Sequence, residues 1–271
     1  RVSLGGGGTD LPSYYRDPEG FVVAGAIEEF VYVSVHSAFQ ERYRMRYSRI
    51  EDTDRPEDID HPILREALIR HWPGGPLEVT TVADVPAGTG LGSSGAFTVC
   101  VIRSLAHARG VAMPPGPLAD AACHIEIDVL GEPVGKQDQY AAAFGGICAY
   151  TFHRDGSVGV EPLELDPVTR AGLRDRLLLF YTGEARSASA ILADQDSRTR
   201  RRDPEMERNL HRTRELGYLS RDLLLAGDLD GYGRLLHEHW MHKRTRSPGI
   251  TGERADGLYE AALAAGALGG K

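Results

Sequence analysis

Apolar residues recur along this chain with two different periods. Valines and aromatics alternate with polar or small residues from Phe21 to His36, and shorter β-rich stretches fall at Arg42 to Tyr47, Leu77 to Val82, Gly146 to Thr151 and Leu177 to Tyr181. A period of two predicts strands in these places. Elsewhere apolar positions return every three or four residues, which predicts helices near Pro62 to Arg70, Ser94 to Ala108, Leu118 to Leu130, Asp138 to Ala143, Ser187 to Asp196, Pro204 to Ala226, Asp228 to Met241 and Asp256 to Ala265. Strands gathered early with helices following predict an α+β architecture rather than regular β-α-β alternation.

One junction in this pattern carries chemistry. Between the strand ending at Val82 and the helix beginning near Ser94 lies Pro86-Ala87-Gly88-Thr89-Gly90-Leu91-Gly92-Ser93-Ser94-Gly95. Glycines let backbone N–H groups approach an anion, and a helix N-terminus adds unpaired amides and a favourable dipole. The plain alternative is a glycine-rich turn with a serine cap. Gly90 to Gly95 also fits the dinucleotide fingerprint GxGxxG, but that fingerprint needs a strand ending in an acid about 20 residues on. Here that distance falls in the Pro-rich stretch Val111 to Ala119. Gly131 to Lys136 is one residue too short for a Walker A loop, and Gln137 follows where Ser or Thr is required.

The Pro-x-x-x-Gly-Leu-Gly-Ser-Ser loop resembles the nucleotide loop of the GHMP kinases. The opening Arg1-Val2-Ser3-Leu4-Gly5-Gly6-Gly7-Gly8-Thr9-Asp10 is similar to the sugar-facing motif of that family. Its Gly-Gly-Gly-Thr-Asp form, followed by Leu11-Pro12-Ser13-Tyr14-Tyr15, most resembles the D-glycero-D-manno-heptose 7-phosphate kinases. His61-Pro62-Ile63, Gly135 to Tyr140, Thr182-Gly183 with Arg186 to Ser189, and His237-Glu238-His239-Trp240 resemble the same group, so the likeness spans nearly the whole chain. It implies a two-lobed α+β GHMP kinase fold with the active site in the cleft between the lobes. We expect residues 1–150 to form a lobe holding the sugar motif, nucleotide loop and catalytic aspartate, and residues 151–271 to form the other. Gly266 to Lys271 looks like the start of a third glycine-rich motif whose remainder is absent.

The resemblance implies roles residue by residue. Pro86, Gly88, Gly90, Leu91, Gly92, Ser93 and Ser94 would bind ATP. Ser94 and Glu126 would hold Mg²⁺; the bland readings of Glu126 are an exposed helix glutamate or an ion-pair partner. Asp138 would take the proton of the attacking hydroxyl, with Arg1 beside it lowering its pKa; Asp138 is also a candidate cap for the helix that follows. Gly7, Gly8, Thr9 and Asp10 would face the sugar. Where galactokinases carry an acid and a histidine before Thr-Asp, this chain has Gly7 and Gly8, which suits a bulkier, anionic sugar. A phosphorylated substrate also calls for cations, for which the candidates are Arg186, Lys136 and Lys243, with Thr182 alongside. Arg244 is a further candidate.

Composition agrees with an enzyme of this kind. A net charge of −8 argues against nucleic acid as partner, and no apolar run reaches the roughly 18 residues of a membrane span. Cys100, Cys123 and Cys148 have no Cys-x-x-Cys spacing, which predicts free thiols in a reducing cytoplasm. The expected activity is therefore ATP-dependent phosphorylation of the anomeric hydroxyl of a heptose 7-phosphate, giving the 1,7-bisphosphate for nucleotide-heptose synthesis. A 1-kinase for a free sugar such as fucose or galactose, and a non-catalytic sensor of ATP and sugar, are the alternatives. The resemblance admits a homodimer.

Overall fold

The alternating stretches fold into two separate four-stranded sheets. The computed structural model describes residues 1–86, 88–182, 188–247 and 249–271. In chain order the strands are β1 (Val2–Gly5), β2 (Gly20–Gly25), β3 (Val31–Ser37), β4 (Tyr43–Arg46), β5 (Ile50–Thr53), β6 (Leu77–Ala83), β7 (Ile147–Phe152) and β8 (Val158–Pro162). The α-helices are α1 (Pro12–Tyr15), α2 (Pro62–His71), α3 (Ser93–Ala108), α4 (Pro115–Cys123), α5 (Gln137–Phe144), α6 (Pro167–Arg176), α7 (Ala188–Arg200), α8 (Pro204–Leu225), α9 (Leu229–Lys243) and α10 (Glu253–Ala264).

The chain divides into two compact units, one formed by Arg1 with Ala26–Gly145 and the other by Val2–Gly25 with Gly146–Lys271. In the first, the sheet order is β3-β6-β4-β5; β6 runs antiparallel to β3 and parallel to β4. Val31, Val33 and Val35 turn one face of β3 inward, toward α3, while Tyr32, Ser34 and His36 face out. In the second unit the order is β1-β2-β7-β8, all antiparallel. Its centre is β2, buried along its whole length, with α8 packed on β1 and β2 and α9 on α8. Leu4, Phe21, Val23, Leu173, Leu224 and Tyr232 contribute to the core there. Asp203 and Asp166 cap α8 and α6 by accepting two first-turn amides each, and a proline opens each helix.

Three expectations change. Phe21 to His36 is two strands, β2 and β3, in different sheets; its β-rich composition on both sides hides the break at the acidic pair Glu28-Glu29. Leu177 to Tyr181 forms no strand, and Leu178, Leu179, Phe180 and Tyr181 are exposed; β-propensity becomes a strand only against a neighbour, and no described strand runs beside it. The short strands β1, β5 and β8 carry glycine, proline or mostly polar residues and give no clear alternation. Val2–Gly25, expected in the lobe of residues 1–150, cluster instead with Gly146–Lys271, because β2 pairs with β7. The cysteines are free, and no helix among the described residues is long and apolar enough to cross a membrane.

Candidate active site

In the first unit, β6 hands the chain to α3 through the glycine loop. Gly88, Gly90 and Gly92 adopt φ of +82°, +77° and +77°, a left-handed conformation that costs other residues about 1–2 kcal/mol each. Gly92 is the residue before α3, and no side chain caps the helix, so its first-turn amides are left for another acceptor. The Thr89 hydroxyl donates to Pro86 O at 3.2 Å and braces the loop.

Arg1 and Asp138 lie against this loop. The Arg1 main-chain nitrogen donates to Leu91 O at 2.7 Å, and its side-chain Nε donates to Asp138 Oδ1. Asp138 sits in the first turn of α5 and is not its cap, since the helix starts one residue earlier. Glycine serves a second purpose here. A Cβ on Gly95 would come within 2.8 Å of Asp138 Cβ, and one on Gly92 within 3.1 Å of Asp138 Cγ. The missing side chains let the aspartate pack directly on the start of α3.

Glu126 lies in a stretch of i→i+5 helix, His124–Val129, that follows α4. Wider helical turns of this kind occur often at functional sites. Its carboxylate is 1% exposed. Gln139 Nε2 donates to Oε1 at 2.9 Å, and the hydroxyls of Ser94 and Thr98 lie nearby, Thr98 donating to Ser94 O at 2.9 Å. Burial pushes the Glu126 carboxyl above the usual carboxylate range, Gln139 and the neighbouring hydroxyls oppose this, and the charge of Asp138 raises it further. Gln139 Oε1 is buried without a partner. Two carboxylates, two hydroxyls and an unused amide oxygen thus converge beside the N-terminus of α3.

In the second unit, β1 runs into the loop Gly5 to Asp10. Thr9 is fully buried; its single O–H lies 2.9 Å from both Gly6 O and Phe21 O, and its oxygen accepts from Phe21 N at 3.0 Å. It ties the loop to β2. Asp10, 2% exposed, accepts from Gly8 N at 3.2 Å. The carbonyls of Gly7 and Gly8 are held by side chains from later in the chain, Arg246 at 3.2 Å and Gln195 at 2.7 Å. The buried Ser3 hydroxyl, without a partner, would meet a Cβ on Gly7 at 2.8 Å.

The arrangement in the first unit is what a phosphoryl-transfer site requires: an anion cradle, hard oxygen donors and a carboxylate beside both. Residues 63–146, which carry the loop, Glu126 and Asp138, match the GHMP kinases N terminal domain. That segment of the chain is a GHMP kinase N-terminal domain. The chain is 26% identical over 284 residues to the D-glycero-alpha-D-manno-heptose 7-phosphate kinase of Campylobacter jejuni, an alignment covering the whole chain and 83% of that relative. It is 25% identical over 284 residues to the bifunctional fucokinase/GDP-fucose pyrophosphorylase of Arabidopsis thaliana, covering 96% of the chain and 27% of that longer protein. Among solved structures, that of a D-glycero-D-manno-heptose 1-phosphate kinase from Bacteriodes thetaiotaomicron is similar with a TM-score of 0.80 at 23% identity, over the whole chain and 82% of its own, a likeness of fold.

Of the residues expected from the sequence, Arg1, Gly88, Gly90, Leu91, Gly92, Ser94, Glu126 and Asp138 form one neighbourhood in the first unit. Lys136, half-buried, precedes Asp138 by two residues at the start of α5. Gly7, Gly8, Thr9, Asp10, Thr182 and Lys243 belong to the second unit; Thr182 is half-buried, and Lys243 is exposed at the end of α9. Arg244 pairs with Asp256 at 3.1 Å. Arg186 lies outside the described residues. Thr98, Gln139, Gln195 and Arg246 were not foreseen. Only Thr98 left a sequence signal, one helical turn after Ser94 and so on the same face of α3.

Gly92→Ala tests the loop directly. The left-handed φ and the Asp138 contact act together, so we expect a stability loss of about 1–2 kcal/mol and a clear weakening of ATP binding. Thermal denaturation and nucleotide titration read the two effects. Unchanged ATP affinity would remove the loop from the nucleotide site.

Proposed function

We propose that this chain is a GHMP kinase that transfers the γ-phosphoryl group of ATP to the anomeric hydroxyl of a heptose 7-phosphate in the cytoplasm. The observation that carries the reading is the packing of Asp138 and Arg1 on the glycine loop that opens α3. The full-length similarity to a heptose 7-phosphate kinase supports the choice of sugar.

In this reading the loop amides from Gly88 to Ser94 bind the nucleotide phosphates. Asp138 accepts the proton of the C1 hydroxyl, whose oxygen bonds to the γ-phosphorus as the bond to the bridging oxygen breaks, leaving ADP and the sugar 1,7-bisphosphate. An anomeric hydroxyl is more acidic than an ordinary alcohol, so a carboxylate base is sufficient. Arg1 holds the Asp138 carboxylate in place and balances its charge. Asp10 accepts from sugar hydroxyls, and Thr9 anchors the loop that carries it. Ser94 and Glu126 suit Mg²⁺, since they are hard oxygen donors and the spare Gln139 Oε1 lies among them. The ion supplies neutralisation of phosphate charge.

The deciding experiment is ATP turnover with heptose 7-phosphates, galactose, fucose and mannose, the product followed by phosphorus NMR. A new anomeric phosphate with a heptose 7-phosphate alone is the expected result. Preferred turnover of a free sugar would replace the substrate with the fucokinase type, and ATP binding without any turnover would make the protein a sensor.

A further inference from the structure

Arg246 is 5% exposed, a rare environment for an arginine; four neutral oxygens accept from its guanidinium, and the charge of Asp10 lies nearby. Nε donates to Asn209 Oδ1 at 2.8 Å and Nη2 to Thr213 Oγ1 at 2.6 Å, two side chains one turn apart on α8. Nη1 donates to Gly7 O at 3.2 Å and to Gln195 Oε1 at 3.4 Å. Gln195, on α7, uses its other amide atom to donate to Gly8 O at 2.7 Å. Two successive carbonyls of the glycine loop are therefore held by one connected set of side chains from α7, α8 and the turn after α9. Gly8 makes this possible: a Cβ there would lie 2.5 Å from Arg246 Nη1 and 3.1 Å from Gln195 Oε1. The arginine fills the volume that a side chain at Gly8 would take.

Burying a cation among neutral acceptors is costly. Burial draws Arg246 down to about 10, with the nearby Asp10 charge opposing the shift. An apolar side chain would fill the space more cheaply but could not hold Gly7 O, nor face Asp10 with a positive charge. Four of its five N–H groups donate to protein acceptors, one of them the loop carbonyl of Gly7.

We infer that Arg246 is a positioning residue for sugar binding, fixing the Gly7 and Gly8 carbonyls with Gln195 and setting the place of Asp10. This rests on the assignment of the Gly5 to Asp10 loop to the sugar. It goes beyond that assignment by naming what holds the loop in shape and by predicting which kinetic constant responds.

The test is steady-state kinetics of Arg246→Lys and Thr213→Val beside the wild-type enzyme, with the best sugar from the panel in both its phosphorylated and free forms. Lysine keeps the charge but lacks the fork, so it cannot reach α8 and Gly7 at once. The expected result is a rise in sugar KM of roughly tenfold or more for Arg246→Lys and a smaller rise for Thr213→Val. The factor should be the same for both sugar forms, with ATP KM unchanged and kcat nearly so. Thr213→Val leaves the arginine in place and covers the case in which Arg246→Lys folds poorly. Sugar KM unchanged in both variants would overturn the inference. So would an equal rise in ATP KM, which marks general destabilisation, or a rise confined to the phosphorylated sugar, which would make Arg246 an anion ligand. Wild-type protein that turns over no sugar would refute the kinase reading itself and take this inference with it.

Discussion

Asp138→Asn is expected to lower kcat by about two to four orders of magnitude, the usual contribution of a positioned general base, while ATP and sugar affinities stay close to wild type. Asparagine matches aspartate in shape, so the close approach to Gly92 and Gly95 is preserved. Its amide oxygen can still accept from Arg1 Nε. What disappears is the negative charge and the only place for the hydroxyl proton to go. The measurement is steady-state kinetics paired with calorimetric titration of nucleotide. A variant that kept kcat within about threefold would show that positioning alone carries the reaction, in line with how phosphoryl transfer tolerates loss of a base.

Glu126→Gln separates function from stability in opposite directions. Turnover should fall by about 10²–10³, since losing a metal ligand removes several kcal/mol of transition-state stabilisation. The ligand-free protein should not be weakened. Because burial raises the folded-state pKa of Glu126 above its ordinary value, its stabilising contribution is present in acid and is lost as pH rises through the folded pKa. Glutamine removes that loss, and its amide oxygen can still accept from Gln139 Nε2. Near neutral pH the variant should melt at or above the wild-type temperature, and the difference should shrink below the carboxylate range. Adding Mg²⁺ with nucleotide should raise the melting temperature of the wild type and much less that of the variant. A variant less stable than wild type at neutral pH would assign Glu126 to the scaffold.

The glycine loop was readable because its requirements are local: left-handed φ at alternate positions and a helix start are written in consecutive residues. Ser94, Glu126 and Asp138 carry chemically distinctive groups in apolar or glycine-rich surroundings, and the family pattern gave each a role. Arg246 was not readable. It is one of three cations in Lys243-Arg244-Thr245-Arg246, and nothing local distinguishes the buried one from Arg244, which pairs with Asp256. Its partner Gly7 is more than two hundred positions away, a separation no periodicity reports. Thr9 marks another limit, since a hydroxyl in a ligand motif looks the same in sequence whether it serves the ligand or the backbone. The strand misreadings share one cause. Pairing partners decide what a β-rich run becomes, joining β2 to β7 and leaving Leu178 to Tyr181 exposed.

The pairing of β2 with β7 also sets an order of events at the ribosome. Gly25 lies opposite Ile147, so the pair β1 and β2 is synthesised roughly 120 residues before its neighbour. At a synthesis rate of about 5–20 residues per second, this apolar ribbon waits on the order of ten seconds while the intervening unit, contiguous from Ala26 to Gly145, is free to fold. The second unit is thus completed after synthesis has passed β7, and its unpaired Gly20–Gly25 edge is the segment of the nascent chain most in need of a chaperone.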